Sequence, residues 1–278
     1  MRHALRWPRA WPARIALVVT GGMLVIAFVG PALAPHSPTD LIGAPFSHPT
    51  SAFPLGTDFL GRDVLSRVLW GGRTVVLLAS IATSVSYVIG GTIGLTAGNS
   101  RGIVDGALMR TVDLLLAFPP ILLLLLLATG FGADPTALVV GIVLVHVPGI
   151  ARVVRAAAQE VSTRGYVEAA VARGERVPGI LLREILPNIW PTVTADAGPR
   201  FTVSILLVAA INFLGLGLRP PTADWALMIS ENSTGLTIQP LTILVPAAMI
   251  AILTISVNLV ADSFARSRGV SREVLVRR

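Results

Sequence analysis

Six long apolar runs constrain this chain more than any other feature. They are Ile15 to Ala34, Thr74 to Gly98, Thr111 to Phe131, Pro135 to Ala151, Phe201 to Leu218 and Leu236 to Ala261, and only the third holds a formal charge, Asp113. A helix needs about 20 mostly apolar residues to cross roughly 30 Å of hydrocarbon, so the set predicts six spans, the fourth and fifth borrowing flanking residues. The runs do not alternate apolar with polar residues, which favours helices over a barrel. The expected fold class is an all-α integral membrane protein with six transmembrane helices. Composition agrees: 53% of residues are hydrophobic and 13% charged, too few charges to cover a soluble domain.

Basic residues orient the bundle. The net charge of +7 would suit nucleic acid if it lay in one basic domain, but the cationic residues, all arginine, sit between the apolar runs. With the N-terminus inside, 18 of the 22 fall on the inner side: Arg2, Arg6, Arg9, Arg14, Arg101, Arg110, Arg152, Arg155, Arg164, Arg173, Arg176, Arg183, Arg200, Arg266, Arg268, Arg272, Arg277 and Arg278. Arg62, Arg67, Arg73 and Arg219 remain outside. This obeys the positive-inside rule for cytoplasmic N- and C-termini. The organisation expected is a cytoplasmic N-terminus over 1–14, a transmembrane domain over 15–262 with an outer loop at 35–73 and an inner loop at 152–200, and a cytoplasmic tail over 263–278. Trp7, Trp11, Trp70, Trp190 and Trp225 all lie outside the runs, as interfacial anchors would. Arginines, an apolar core and Ala32-Leu33-Ala34 also fit a cleavable leader. The length of the run and Pro35 favour a retained helix.

Other classes are narrowed by what the chain lacks. Without cysteine it has no disulfide framework or thiolate metal site. Without lysine it cannot cradle ATP in a phosphate loop of the G-x-x-x-x-G-K-[ST] kind, so energy, if used, would come from a partner, and no cofactor is expected in this chain.

The inner loop is too polar to span yet shows helical periodicity. Val167, Ala170, Val171 and Gly174 make one apolar stripe, while Glu160, Arg164 and Glu168 fall at spacings where opposite charges meet. Gly174 permits a positive φ and Pro178 can open a following helix, giving helix, turn and a short helix ending near Pro187. A helix resting on lipid headgroups would give the same periodicity.

More specific are the residues themselves. Glu168-Ala169-Ala170, Gly174 and later Leu186-Pro187 resemble the coupling loop of ATP-binding cassette importer permeases. Leu55-Gly56-Thr57-Asp58-Phe59-Leu60-Gly61-Arg62-Asp63-Val64-Leu65-Ser66-Arg67 is similar to the outer-loop signature of the dipeptide, oligopeptide and nickel branch, in particular its "C"-type permease subunit. Asp113 to Pro120, Tyr166 to Ala170, Leu186-Pro187-Asn188, and Phe213 to Gly217 with Pro220-Pro221 and Trp225 resemble the same branch, in family order from about residue 50 to 262. One departure is Glu184, which stands where the family usually has an apolar residue, with Ile185 beside it. The resemblance implies a permease that imports di- or oligopeptides, with no catalytic or metal-binding residue of its own. Its implied partners are a second, different permease, two ATPase subunits, an extracytoplasmic binding protein and membrane lipid, with no nucleic acid, in the cell's inner (cytoplasmic) membrane. Glu168, Ala169, Ala170, Gly174, Leu186 and Pro187 would seat the loop on an ATPase, whose closure on ATP moves the membrane helices. Nickel, haem or another small solute is the alternative within the branch.

Single residues have plainer readings. Asp113 is expected to pair with Arg110 at i,i+3; lone His146 reads as a packing histidine, Asn212, Asn258 and Asp262 as interhelical hydrogen-bonding groups with lining of a translocation path as the alternative, and Asp224 and Glu231 as solvated outer-loop carboxylates. Pro119-Pro120 and Pro148 are expected to kink their helices. An intramembrane hydrolase would need a nucleophile beside that histidine, and a secondary transporter should show internal repeats; neither pattern is present.

Overall fold

The computed structural model describes residues 11–100, 102–132 and 134–276, with side chains to 266. The arginines and tryptophan of residues 1–10, Arg101, and the side chains of Arg268, Arg272, Arg277 and Arg278 lie outside the described residues. The helices are α1 (Trp11–Leu33), α2 (Val64–Asn99), α3 (Ile103–Leu116), α4 (Pro120–Phe131), α5 (Pro135–Ser162), α6 (Gly165–Ala172), the short α7 (Val177–Gly179), α8 (Leu186–Phe213), α9 (Trp225–Glu231) and α10 (Leu241–Val276). A π-helical turn, Ile180–Ile185, runs α7 into α8 without a break. Among the described residues, five helical segments are long and apolar enough to cross a membrane. α3 and α4 make a sixth crossing if taken together.

α2 and α5 form the central pair, and small residues let them approach. A Cβ on Gly90, Gly94 or Gly98 would lie 2.9 Å from the Val147 carbonyl oxygen, 2.5 Å from that of Ala151 and 2.6 Å from Ala158 Cβ. Glycine every fourth residue makes one smooth face, the small-xxx-small solution to packing helices where lipid is as apolar as the partner. α8 packs on both, α10 on α8, and α1 between α2 and α10. The core divides into a cluster around Leu124, Ile142 and Ile211, one around Met23, Val68 and Trp225, and one around Ile150, Val167 and Ile185.

Several boundaries differ from the apolar runs, each for a physical reason. α2 begins at Val64, ten residues before the run, because Asp63 caps it by accepting from Leu65 and Ser66 amides. The third run is not one straight helix: α3 and α4 meet at 78°, since Pro119 and Pro120 remove two backbone donors at the join. α5 passes Ala151 and continues to Ser162, its polar end held by Arg155 on Asp105 at 2.5 and 2.6 Å and by Arg152 on Asp113 at 2.6 Å. Asp113 therefore pairs with Arg152 of α5, not with Arg110 of its own helix. Pro187 does not end a helix: the helical run from Val177 continues through it to Phe213, and the π-helical turn just before it already interrupts the regular ladder in which its missing donor would have taken part. Arg200 accordingly belongs to α8 and not to a loop. Trp225 is fully buried with its indole donating to the Val68 carbonyl at 2.7 Å, so it is a core residue and not an interfacial anchor.

Candidate functional site

The end of the bundle that carries the Glu168 motif is built from α6, the turn after it and the π-helical segment. Arg164 precedes α6 and donates to Glu160 Oε1 of α5 at 2.9 Å, so these two charges meet as their spacing predicts, across a helix break at Thr163. α6 ends in a Schellman motif: the Glu175 amide donates to the Ala170 carbonyl at 3.2 Å and the Gly174 amide to the Val171 carbonyl at 2.9 Å. Closing it requires Gly174 at φ +73°, left-handed backbone that glycine adopts without strain. A Cβ there would meet nothing within 4 Å, so the position is fixed by backbone geometry and open to the outside.

The six residues that the motif singles out divide between two roles. Ala170 is buried and Leu186 half-buried, both in the apolar cluster that also holds Val167, Ile180, Ile185 and Ile189 with Leu95, Ile150 and Val154. Glu168, Ala169, Gly174 and Pro187 are exposed. The expected stripe is narrower than its spacing suggests: Val171 lies within α6 yet is 60% exposed, because the core cluster covers the helix only along Val167 and Ala170, and Gly174 falls in the turn beyond it. Tyr166, Val171, Val177 and Leu182 give this polar end of the bundle an exposed apolar surface. Beside it an open concavity of about 690 Å³ is lined by Glu175, Arg176, Pro178, Gly179, Leu182, Arg183 and Glu184. Exposed apolar side chains rimmed by charge mark docking surfaces.

Glu184 is accommodated by the π-helical turn. Ile180 and Ile185 are both buried although five residues apart, and Ile189 follows four residues on. The wider turn carries the extra residue, so Ile185 takes the core position and Glu184 stays at the rim.

At the opposite end, the outer segment 34–63 is folded back on itself and locked by a buried ion cluster. Asp58 Oδ1 accepts the amides of Leu60 and Arg62, and its carbonyl accepts from Phe46. Asp58 Oδ2 accepts from Arg62 Nε at 2.7 Å and Arg67 Nη1 at 2.6 Å, while Glu231 Oε2 of α9 accepts from Arg67 Nη1 at 2.7 Å and Arg62 Nη2 at 3.1 Å. Asp224 caps α9, accepting from Ala226 and Leu227 amides, and is fully buried. Desolvation pushes its carboxyl up to about 6, against the pull of those two amides and of Arg67. Asp224 and Glu231 are thus structural groups, not solvated ones. Opposite charges among Arg62, Arg67 and the carboxylates were the only hint in the sequence, with 164 to 169 residues between the partners.

His146 is buried with Nε2 2.9 Å from Ser204 Oγ, as a packing histidine should be. Asn258 donates to Thr202 Oγ1 at 2.7 Å between α10 and α8. Asn212 accepts from the Leu218 amide at 2.8 Å and so fastens the loop after α8. Among the described residues, no three His, Cys, Asp or Glu side chains are grouped to hold a metal.

Comparison with known proteins identifies relatives of this chain. The family model described as "Binding-protein-dependent transport system inner membrane component" matches residues 90–268. The "Glutathione transport system permease protein GsiD" of Pectobacterium atrosepticum is 35% identical over 77% of this chain and 71% of its own length. The "Probable peptide ABC transporter permease protein y4tQ" of Sinorhizobium fredii is 34% identical over 90% of this chain and 87% of its own. The "Dipeptide transport system permease protein DppC" of Alkalihalophilus pseudofirmus is 29% identical over 90% and 83%. Among solved structures, the inward-facing MetNI methionine ABC transporter matches with a TM-score of 0.56 at 18% identity, over 70% of this chain and 92% of that one, a likeness of fold.

Proposed function

The chain belongs to the family of binding-protein-dependent transport system inner membrane components, as a permease and not an enzyme, and from that premise we propose that it imports peptides through a coupling element centred on Gly174. The peptide reading is supported by relatives whose names specify glutathione, peptide and dipeptide transport. The family implies ATPase and binding-protein components. Two ATPases and a second permease complete the proposed complex. ATP and magnesium are held by the ATPases, both termini of this chain are cytoplasmic, and α6 faces the ATPase side.

One observation carries the coupling role. The same short element is exposed on one side and welded on the other: Glu168, Ala169 and Gly174 stand open while Val167, Ala170, Ile180 and Ile185 share a core cluster with the ends of α2 and α5. A groove in an ATPase that grips the exposed turn thereby moves a packed unit, and interiors this close-packed transmit displacement instead of absorbing it. The continuous run from Val177 to Phe213 carries that displacement along a spanning helix. Reconstitution of the permease pair, ATPases and binding protein in proteoliposomes tests the function. Dipeptide uptake that depends on ATP and on the binding protein is expected; uptake of another solute with no peptide uptake would refute it.

A further inference from the structure

α2, α5 and α8 share a polar seam inside the bundle, and its two parts differ in kind. The first is sealed: His146 Nε2 meets Ser204 Oγ, and that hydroxyl lies 3.0 Å from Thr83 Oγ1, all three residues buried. A closed set of this sort holds helices together. One turn along α8 the second part is open. Tyr87 Oη donates to Asp196 Oδ2 at 2.6 Å and Arg200 Nε donates to the same oxygen at 3.2 Å. The side chains of Asp196 and Arg200 nevertheless keep 21% and 23% of their surface exposed. The guanidinium crosses α5 at Gly149, where a Cβ would stand 2.6 Å from both Nη atoms, so a larger residue would displace it.

Depth makes this exposure informative. Arg200 is 13 residues from the Phe213 end of α8, about 20 Å at 1.5 Å per residue. Gly149 is 14 residues from the Pro135 end of α5, about 21 Å by the same rise. Asp196 lies one turn further from that end of α8, 17 residues or about 26 Å, so both helices put the pair in the inner part of a hydrocarbon layer of about 30 Å counted from those ends, close to the Arg152 end of α5. A carboxylate and a guanidinium left partly open at that depth face the bundle interior or a water-filled cavity, not acyl chains. The pair itself is loose, with one 3.2 Å contact in place of a two-point fork, so each group retains capacity for another partner. Tyr87 holds Oδ2 and leaves Oδ1 of Asp196 to accept.

We propose that Asp196 and Arg200, positioned by Tyr87 and Gly149, form a subsite on the solute path that takes the two ends of a zwitterionic peptide. Asp196 accepts hydrogen bonds from the α-ammonium group. Arg200 donates to the α-carboxylate, whose planar geometry its forked donors match. This rests on the peptide reading above and adds where within the membrane the solute is held.

The test is equilibrium binding of a dipeptide, its C-amidated form and its N-acetylated form to the purified permease–ATPase complex without binding protein. Wild type is expected to bind the unmodified dipeptide about tenfold more tightly than either blocked form, the worth of one charge-assisted hydrogen bond. Arg200→Gln should erase the preference over the amidated form and leave the preference over the acetylated form; Asp196→Asn should do the reverse. Comparing each variant with wild type across the probes separates this from a general loss of packing, which would weaken all three equally. Where Arg200→Gln fails to assemble, Arg200→Lys carries the same arm, expected to retain a reduced carboxylate preference. Absence of binding, equal affinity for the three probes in wild type, or variants that keep both preferences would overturn the subsite. ATP-dependent dipeptide uptake by the complete wild-type system is measured in parallel: its absence would overturn the peptide reading itself, whereas uptake without end-group preference would overturn the subsite alone.

Discussion

Arg67→Met should be among the most damaging single changes outside the membrane. Arg67 is fully buried, and its Nη1 donates to Asp58 at 2.6 Å and Glu231 at 2.7 Å. Without it, two buried carboxylates share Arg62 alone, with Asp224 close by. Removing one partner of a buried pair leaves an uncompensated charge and costs about 3 to 5 kcal/mol. For a chain of this size that is on the order of 10 °C in apparent Tm. The double variant Arg67→Met/Glu231→Leu leaves Arg62 balanced by Asp58, so it should lose less than Arg67→Met does alone. The assay is thermal unfolding of the detergent-purified complex, followed by size-exclusion recovery after heating, for wild type, both single variants and the double. A loss under about 1 kcal/mol, the behaviour of an exposed pair, or a double variant whose loss equals the sum of the singles, would refute the buried-cluster argument.

Three further outcomes follow from the geometry. Gly94→Leu should drive α2 from α5, because even a Cβ would stand 2.5 Å from the Ala151 carbonyl oxygen; overpacking costs about 1 to 3 kcal/mol or more, and yield of assembled complex measures it. Asp224 has a folded pKa of about 6 against an ordinary 3.8. The extra stability of its protonated form is therefore complete below about pH 4 and lost as pH rises through 6, about 3 kcal/mol over two units. Apparent Tm should rise as pH falls from 7.5 to 5, and Asp224→Asn should flatten that rise. Reporter fusions at Gly43 and Arg278 should report opposite sides of the membrane, and finding them on one side would remove the proposed orientation.

Apolar runs made the spanning helices legible because they reflect the bilayer directly. They could not see helices that continue into polar sequence. α2 gains its first turns from Asp63 and the Arg67 cluster, and α5 its last from Arg152 and Arg155, contacts set by residues far away in the chain. The glycines at 90, 94 and 98 were a readable signal for the α2–α5 contact that span counting passes over. At the proposed coupling element, Gly174 identified the turn because a positive φ has few other sources. Val171 was misplaced, since helical spacing cannot say how wide a face of a short helix the core covers. The packing of Glu184 needed coordinates, as a π-helical turn leaves no period in the sequence.

Gly174 offers the most direct test of the coupling proposal. The turn is open and its backbone left-handed, so an arginine there adds backbone strain of about 1 to 2 kcal/mol and bulk that meets only a partner. Transport and ATPase co-purification should be measured for Gly174→Arg and Glu168→Ala at matched membrane levels. The expected result is a Gly174→Arg chain that inserts yet loses transport and sheds or uncouples the ATPases, beside a Glu168→Ala chain that is only weakened. A loop that merely rests on headgroups should tolerate the added arginine, and near-normal transport by Gly174→Arg would contradict the coupling assignment.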